Sequence, residues 1–137
     1  MNNRFRKSER LNSKLIIDKL FAGGNRSSAV FPLRVVYMPV PVDEAPDSMN
    51  GVPVSVLISV PKKRFHHAVD RNRMKRLVRE AYRTNKGILW DAMEGRDFKM
   101  AVAFVCTTDS LPNYHQVQKA VVKALTKVSE SVETMAK

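Results

Sequence analysis

From Arg71 to Arg83 the chain has the spacing of an amphipathic helix, and that spacing settles both how the segment docks and what it shows to solvent. Stepped at about 100° per residue, Met74, Leu77, Val78, Ala81 and Tyr82 gather on one arc. Arg71, Arg73, Lys75, Arg76, Arg79 and Arg83 occupy the opposite arc, with Asn72 among them. The spacing predicts a helix that packs by an apolar stripe and carries a cationic ridge outward. Acids able to pair the ridge one turn away are scarce: Glu80 can serve Arg76 or Arg83, and Asp70 adds little. Arginine outnumbers lysine five to one along it, which favours forked contacts to phosphate over mere solubility. Like charges this dense destabilise a helix unless a polyanion faces them, and nucleic acid is the obvious polyanion.

The rest of the composition sharpens this reading. Lys and Arg number 24 against 13 Asp and Glu, for a net charge of +11 and an isoelectric point near 10.2. Ten of the basic residues and only two of the acids lie between Lys62 and Lys86. Acids collect elsewhere, as Asp43, Glu44 and Asp47 and as Asp91, Glu94 and Asp97. At 137 residues and 44% apolar, residues 1–137 are expected to form a single domain with one layered core. The lone Cys106 excludes an internal disulfide and a cysteine-rich zinc site, and its run, Phe98 to Cys106, gives it a buried apolar role. A single thiol suits a reducing compartment. The stretch Met1–Lys7 is basic without an apolar run after it, and no run of about 18 apolar residues occurs, so a cytoplasmic, unanchored protein is expected.

Along the chain, Ser13 is placed to cap a helix containing Leu15, Ile16, Ile17, Leu20 and Phe21, stopped by Gly23-Gly24. Phe31, Leu33, Val35 and Tyr37 alternate as in a strand, and the proline within points to an edge or a bulge. Pro39–Gly51 reads as a long exposed connection. Val52–Val60 is the cleanest strand, ended by Pro61; the basic helix follows and breaks at Asn85-Lys86-Gly87. Phe98–Cys106 makes a third strand. A last helix starts at Pro112-Asn113 and carries Tyr114, Val117, Val121, Ala124, Leu125, Val128 and Val132 in one stripe. The order α-β-β-α-β-α, with helices on one face of a small mixed sheet, defines an α+β two-layer sandwich.

No nucleophile motif, glycine-rich phosphate loop or carboxylate cluster is present. His66-His67 are adjacent, so in an extended segment they point apart and do not share a metal; no catalytic or metal residue is assigned. Lys62-Lys63-Arg64 extend the basic patch. Phe21 and Tyr37 fall on faces that look core-directed.

Ala68-Val69-Asp70-Arg71-Asn72-Arg73-Met74-Lys75-Arg76-Leu77-Val78-Arg79-Glu80 resembles the RNR motif of the protein subunit of bacterial ribonuclease P, with Arg-Asn-Arg-x-Lys-Arg followed by Arg-Glu. Ile58-Ser59-Val60-Pro61-Lys62-Lys63 is similar to that family's strand ending in Val-Ser-Lys-Lys, and Arg10-Leu11 and Leu20-Phe21-Ala22-Gly23-Gly24 to its first helix and glycine stop. The resemblance implies a fold like domain 2 of ribosomal protein S5, with the basic helix in a left-handed β-α-β crossover. It implies a partner, a large catalytic RNA, and a substrate, precursor tRNA, whose 5′ leader is removed by RNA-bound Mg²⁺ and water; the protein itself binds no cofactor, and neither a membrane nor an obligatory protein partner is implied. Carried over by position, Arg71, Asn72, Arg73, Lys75, Arg76 and Arg79 would contact the catalytic RNA, and Lys62 and Lys63 phosphates nearby. Phe21 and Ile17 would line a cleft for the single-stranded leader. Ile17 stands where the family often has an aromatic residue and Pro61 replaces its usual serine. The turn Arg64-Phe65-His66-His67 is longer than usual and lacks a glycine, which offers Phe65 as a stacking surface instead. A ribosomal or general RNA-binding module would share the patch. A second alternative is a stand-alone protein nuclease using His66 or His67.

Overall fold

Alternating apolar residues build one mixed sheet of four strands in the computed structural model, which describes residues 5–135; Met1–Arg4 of the basic N-terminal stretch lie outside the described residues. The strands are β1 (Arg26–Val30), β2 (Leu33–Pro41), β3 (Val54–Ser59) and β4 (Phe98–Cys106), in the spatial order β1-β2-β4-β3. The β1–β2 and β2–β4 pairs are antiparallel and β3–β4 is parallel. The helices are α1 (Lys14–Phe21), α2 (Ala68–Asn85), the single turn α3 (Gly87–Trp90) and α4 (Tyr114–Met135). Parallel strands need a crossover, and α2 provides it between β3 and β4.

Strand alternation divides the core in two. From β4, Met100, Val102, Phe104 and Cys106 project into one cluster, and Ala101 and Ala103 into the other. Into the first cluster α2 places Met74, Val78, Ala81 and Tyr82. Helix α4 adds the stripe from Val117 to Val132. Each fully buried side chain of this size contributes about 1.5–3 kcal/mol of transfer free energy, so the apolar arc of α2 is its anchor. The second cluster receives Ile16 and Leu20 of α1, together with Leu11. The α+β architecture is therefore as expected, with one refinement: α2 and α4 share a face, and the short α1 covers part of the opposite one.

Local chemistry explains the helix ends. The Ser13 hydroxyl accepts from the Ile16 amide, at 3.4 Å, and Gly23 and Gly24 take positive φ values of 97° and 80° after α1. Asn113 and Gln116 cap α4 reciprocally: the Gln116 amide donates to Asn113 Oδ1 at 2.9 Å and the Asn113 amide to Gln116 Oε1 at 3.1 Å.

Several expectations are corrected. The strand expected from Phe31 begins only at Leu33, because Phe31-Pro32 forms the turn joining Val30 to Leu33. Nor is β2 an edge strand. Its Pro39 and Pro41 come after the last β1 pairing, Arg26 with Tyr37, so no bond to β1 is lost there. Strand β1 itself has no forerunner in the sequence reading. Pro39–Gly51 is not wholly an exposed connection: it starts inside β2 and buries Met49, and Lys99 Nζ ties it down by donating to the carbonyls of Met49 (2.9 Å) and Val52 (2.6 Å). At the expected helix break, α2 gives way to α3 across a single residue, Lys86.

That residue is 1% exposed, and its ammonium donates to Glu9 Oε1 at 2.9 Å and lies 4.3 Å from the centroid of the Trp90 ring. Trp90 Nε1 in turn donates to the Tyr82 hydroxyl at 2.9 Å, and burial pushes that phenol's pKa well above its ordinary value. Glu9 belongs to a leading segment laid along the outer edge of β3. The Leu11 amide donates to the Val56 carbonyl at 2.9 Å and the Ser55 hydroxyl to the Ser8 carbonyl at 2.8 Å.

Candidate nucleic-acid interface

Helix α2 stands on its apolar arc, and its polar arc faces out. Asn72, Arg73 and Arg76 are exposed, and Lys75 and Arg79 partly so. Glu80 resolves its two possible partners in favour of Arg83: Arg83 Nε donates to Glu80 Oε2 at 3.1 Å. This hydrogen bond holds the Glu80 carboxyl below its ordinary pKa and lifts the guanidinium's. Among the described residues, none of Arg73, Lys75, Arg76 and Arg79 has a carboxylate within 4.0 Å. The ridge is thus neither neutralised from within nor buried.

Arg71 is used differently from the residues around it. Its Nη1 donates to the carbonyls of Phe65 and His66, both at 2.9 Å, and so closes the turn that launches α2. Lys62 and Lys63 are exposed in the segment between β3 and α2, and Arg64 pairs with Asp109 at 3.3 Å.

Two grooves flank α2. On one side, Arg73, Arg76, Leu77, Arg79 and Glu80 face Tyr114 of α4 across a shallow concavity of about 590 Å³. The other, of about 270 Å³, lies between Lys75 and Arg79 of α2 and the β3 edge at Val56 and Ile58, with Arg10 of the leading segment beside it. Arg79 lines both. Sequence reading missed Arg10 and Tyr114 as members of this surface, since nothing in their local spacing ties them to α2.

The cleft residues separate. Ile17 is partly buried with Val36, Met38 and Leu57 against Ala101 and Ala103, on the face that α1 covers. Phe21, at the C-terminal end of α1, is 47% exposed, contrary to its core-directed reading: helical spacing places Ile16 and Leu20 inward and carries Phe21 past the edge of that cluster. Phe65 is corrected. It is 7% exposed and lies in the core cluster of α2 and α4, on the opposite face of the sheet from Ile17, so its ring offers no stacking surface in the cleft. His66 and His67 are exposed. Among the described residues, no three His, Cys, Asp or Glu side chains are grouped to hold a metal ion, and no helix is long and apolar enough to cross a membrane. Cys106 is buried, donates weakly to the Thr108 carbonyl at 3.4 Å, and has its thiol pKa raised by that burial.

Against known proteins, residues 5–129 match the family model described as Ribonuclease P. A ribonuclease P protein component from Porphyromonas gingivalis is 42% identical over 130 residues, covering 95% of this chain and 90% of that protein. One from Chlorobaculum tepidum is 38% identical over 118 residues, 81% of this chain and 73% of the other. The fold is similar to that of the RNase P protein of Thermotoga maritima, with a TM-score of 0.64 at 18% identity over 87% of this chain and 96% of that one. The Staphylococcus aureus RNase P protein gives 0.63 at 18% identity, over 89% and 95% of the two chains.

Proposed function

The chain belongs to the ribonuclease P protein family, and from that premise we propose that it grips the RNA subunit of ribonuclease P by the ridge of α2 and helps that RNA remove the 5′ leader from precursor tRNA. The observation that carries the reading is the set of four cations on one helix face with no carboxylate within 4.0 Å among the described residues. A partner's phosphates would answer them, and the family supplies the kind of partner.

In this reading Asn72, Arg73, Lys75, Arg76 and Arg79 contact phosphates and sugars of the RNA, with Lys62 and Lys63 reaching phosphates from the neighbouring turn. Arg71 contributes chiefly by fixing the start of α2, leaving its remaining donors for the RNA. Ile17, packed against Ala101 and Ala103, and the exposed Phe21 at the end of α1 are the apolar groups that meet the unpaired leader in this reading. Scission, leaving a 5′-phosphate on the tRNA and a 3′-hydroxyl on the leader, belongs to Mg²⁺ held by the RNA. The protein contributes charge neutralisation and positioning and no catalytic group of its own. No second protein is required, and the cytoplasm, where tRNA matures in bacteria, is the place of action.

Reconstitution with a bacterial catalytic RNA tests this. The protein should increase precursor cleavage at low Mg²⁺ and favour substrate with a leader over mature tRNA. If about six groups meet phosphate, log K falls with log salt at a slope near −5, by the counterion-release rule for duplexes. Equal affinity for precursor and mature tRNA would point instead to a general RNA-binding module. Cutting by the protein alone, lost in His67→Ala, would point to a protein nuclease.

A further inference from the structure

The smaller groove beside α2 has features that a flat phosphate contact does not need. Arg10, Lys75 and Arg79 converge on it from the leading segment and from α2, and no carboxylate lines it. Glu9, adjacent to Arg10 in sequence, is turned inward to Lys86. Among the described residues, no acid answers the groove's positive charge. Yet part of the lining is apolar: Ile58 is partly exposed there, while Leu11 and Val56, each 3% exposed, offer it little surface. At one end stands the Phe5 ring, held edge-on to Tyr82 at 5.9 Å between centroids, with the Arg10 guanidinium 5.6 Å from its centroid.

The groove also exposes hydrogen-bonding groups. Among the described residues, the leading segment forms one backbone bridge to β3, Arg10 with Val56, where the Val56 carbonyl accepts from Leu11. Peptide groups two residues apart on a strand point the same way, so the N–H and C=O of Ile58 face this edge just past the bridge. The Asn12 side chain, which can both donate and accept, lines the same space. A small anion would use the cations and waste the apolar lining. An apolar ligand would use that lining and leave the cations unanswered. About 270 Å³ is too narrow for a duplex.

We propose, resting on the RNA-binding role above, that this groove receives a single unpaired nucleotide of the RNA. The base lies between Ile58 and the Phe5 ring with its edge toward Asn12 and the Ile58 backbone, while Arg10, Lys75 and Arg79 hold the flanking phosphates. The ridge of α2 then binds RNA of any sequence, and the groove selects a place where one base is free to leave its stack.

The test uses the full chain and two RNA hairpins differing only by one bulged adenosine, with affinities measured side by side at a fixed salt concentration. The wild-type protein should prefer the bulged hairpin by about tenfold, roughly 1.4 kcal/mol. Asn12→Trp, which fills the groove from an exposed position, and Arg10→Gln should each bring that ratio close to one, with melting temperatures confirming that both fold. Arg73→Ala, on the other side of the ridge, should weaken both hairpins in proportion and leave the ratio intact. A wild-type ratio of one, or a preference that survives Asn12→Trp, overturns the nucleotide groove while leaving the ridge in place. Failure to bind either hairpin overturns the groove and the RNA-binding role together.

Discussion

Helix α2 carries cations in two settings, and the contrast shows where each finds its counter-charge. Along the ridge, Arg73, Lys75, Arg76 and Arg79 have no carboxylate within 4.0 Å among the described residues. Just beyond its last turn, Lys86 is almost wholly buried, paired with Glu9 and seated on Trp90. A cation satisfied inside the molecule serves the fold, and one without a carboxylate outside is free to meet a partner's charge. The inner pair also restrains the helix that the outer charges strain, by tying its C-terminal end to the leading segment.

Glu9→Ala is expected to have the largest effect, because it strands a buried ammonium. A loss of about 3–5 kcal/mol of stability in urea unfolding is predicted, and a cost no greater than that of an exposed substitution would refute the distinction between the two settings. Arg73→Ala should show the converse. It should cost about 1–3 kcal/mol of RNA affinity, shrinking as salt rises, with stability altered by no more than about 0.5 kcal/mol. A loss that ignores salt would mean the variant is misfolded. Ile17→Ala, on the opposite face of the sheet, should cost about 1 kcal/mol of apolar contact and lower the preference for leader-bearing tRNA more than assembly with the RNA. Equal losses in both would remove Ile17 from the cleft.

The smallest effect belongs to Arg83, the ridge cation that pairs with an acid among the described residues. Its hydrogen bond holds the Glu80 carboxyl below the ordinary value of 4.5. A depressed folded-state pKa stabilises above the ordinary value and ceases to do so as pH falls through the depressed one. Glu80→Gln should therefore lower the melting temperature slightly at neutral pH and not at all at strongly acid pH. An effect independent of pH would show that the pair does not act through charge.

The ridge was legible because it rests on a period. Met74, Val78, Ala81 and Tyr82 recur at helical spacing, and tertiary packing agrees with that local signal. Strand β1 was not legible: Arg26-Ser27-Ser28-Ala29-Val30 buries only Val30, so a polar sequence is held in place by its pairing with β2 and gives no alternation. The Glu9–Lys86 pair was hidden for another reason. Its partners lie 77 positions apart, and charged residues are read as solvated unless a contact says otherwise. Phe65 and Phe21 failed in opposite directions, one drawn into the core from a turn and the other left exposed at a helix end. A residue outside a regular period takes its burial from the tertiary structure, which spacing does not encode.

The leading segment has a consequence beyond its hold on Glu9. By bridging Val56 it shortens the free backbone at one margin of the sheet, and the other margin is the brief, arginine-bearing β1. Neither side offers a long, flat template on which a second copy could zip. Blunting both margins leaves little free backbone for edge-to-edge pairing between copies of the chain.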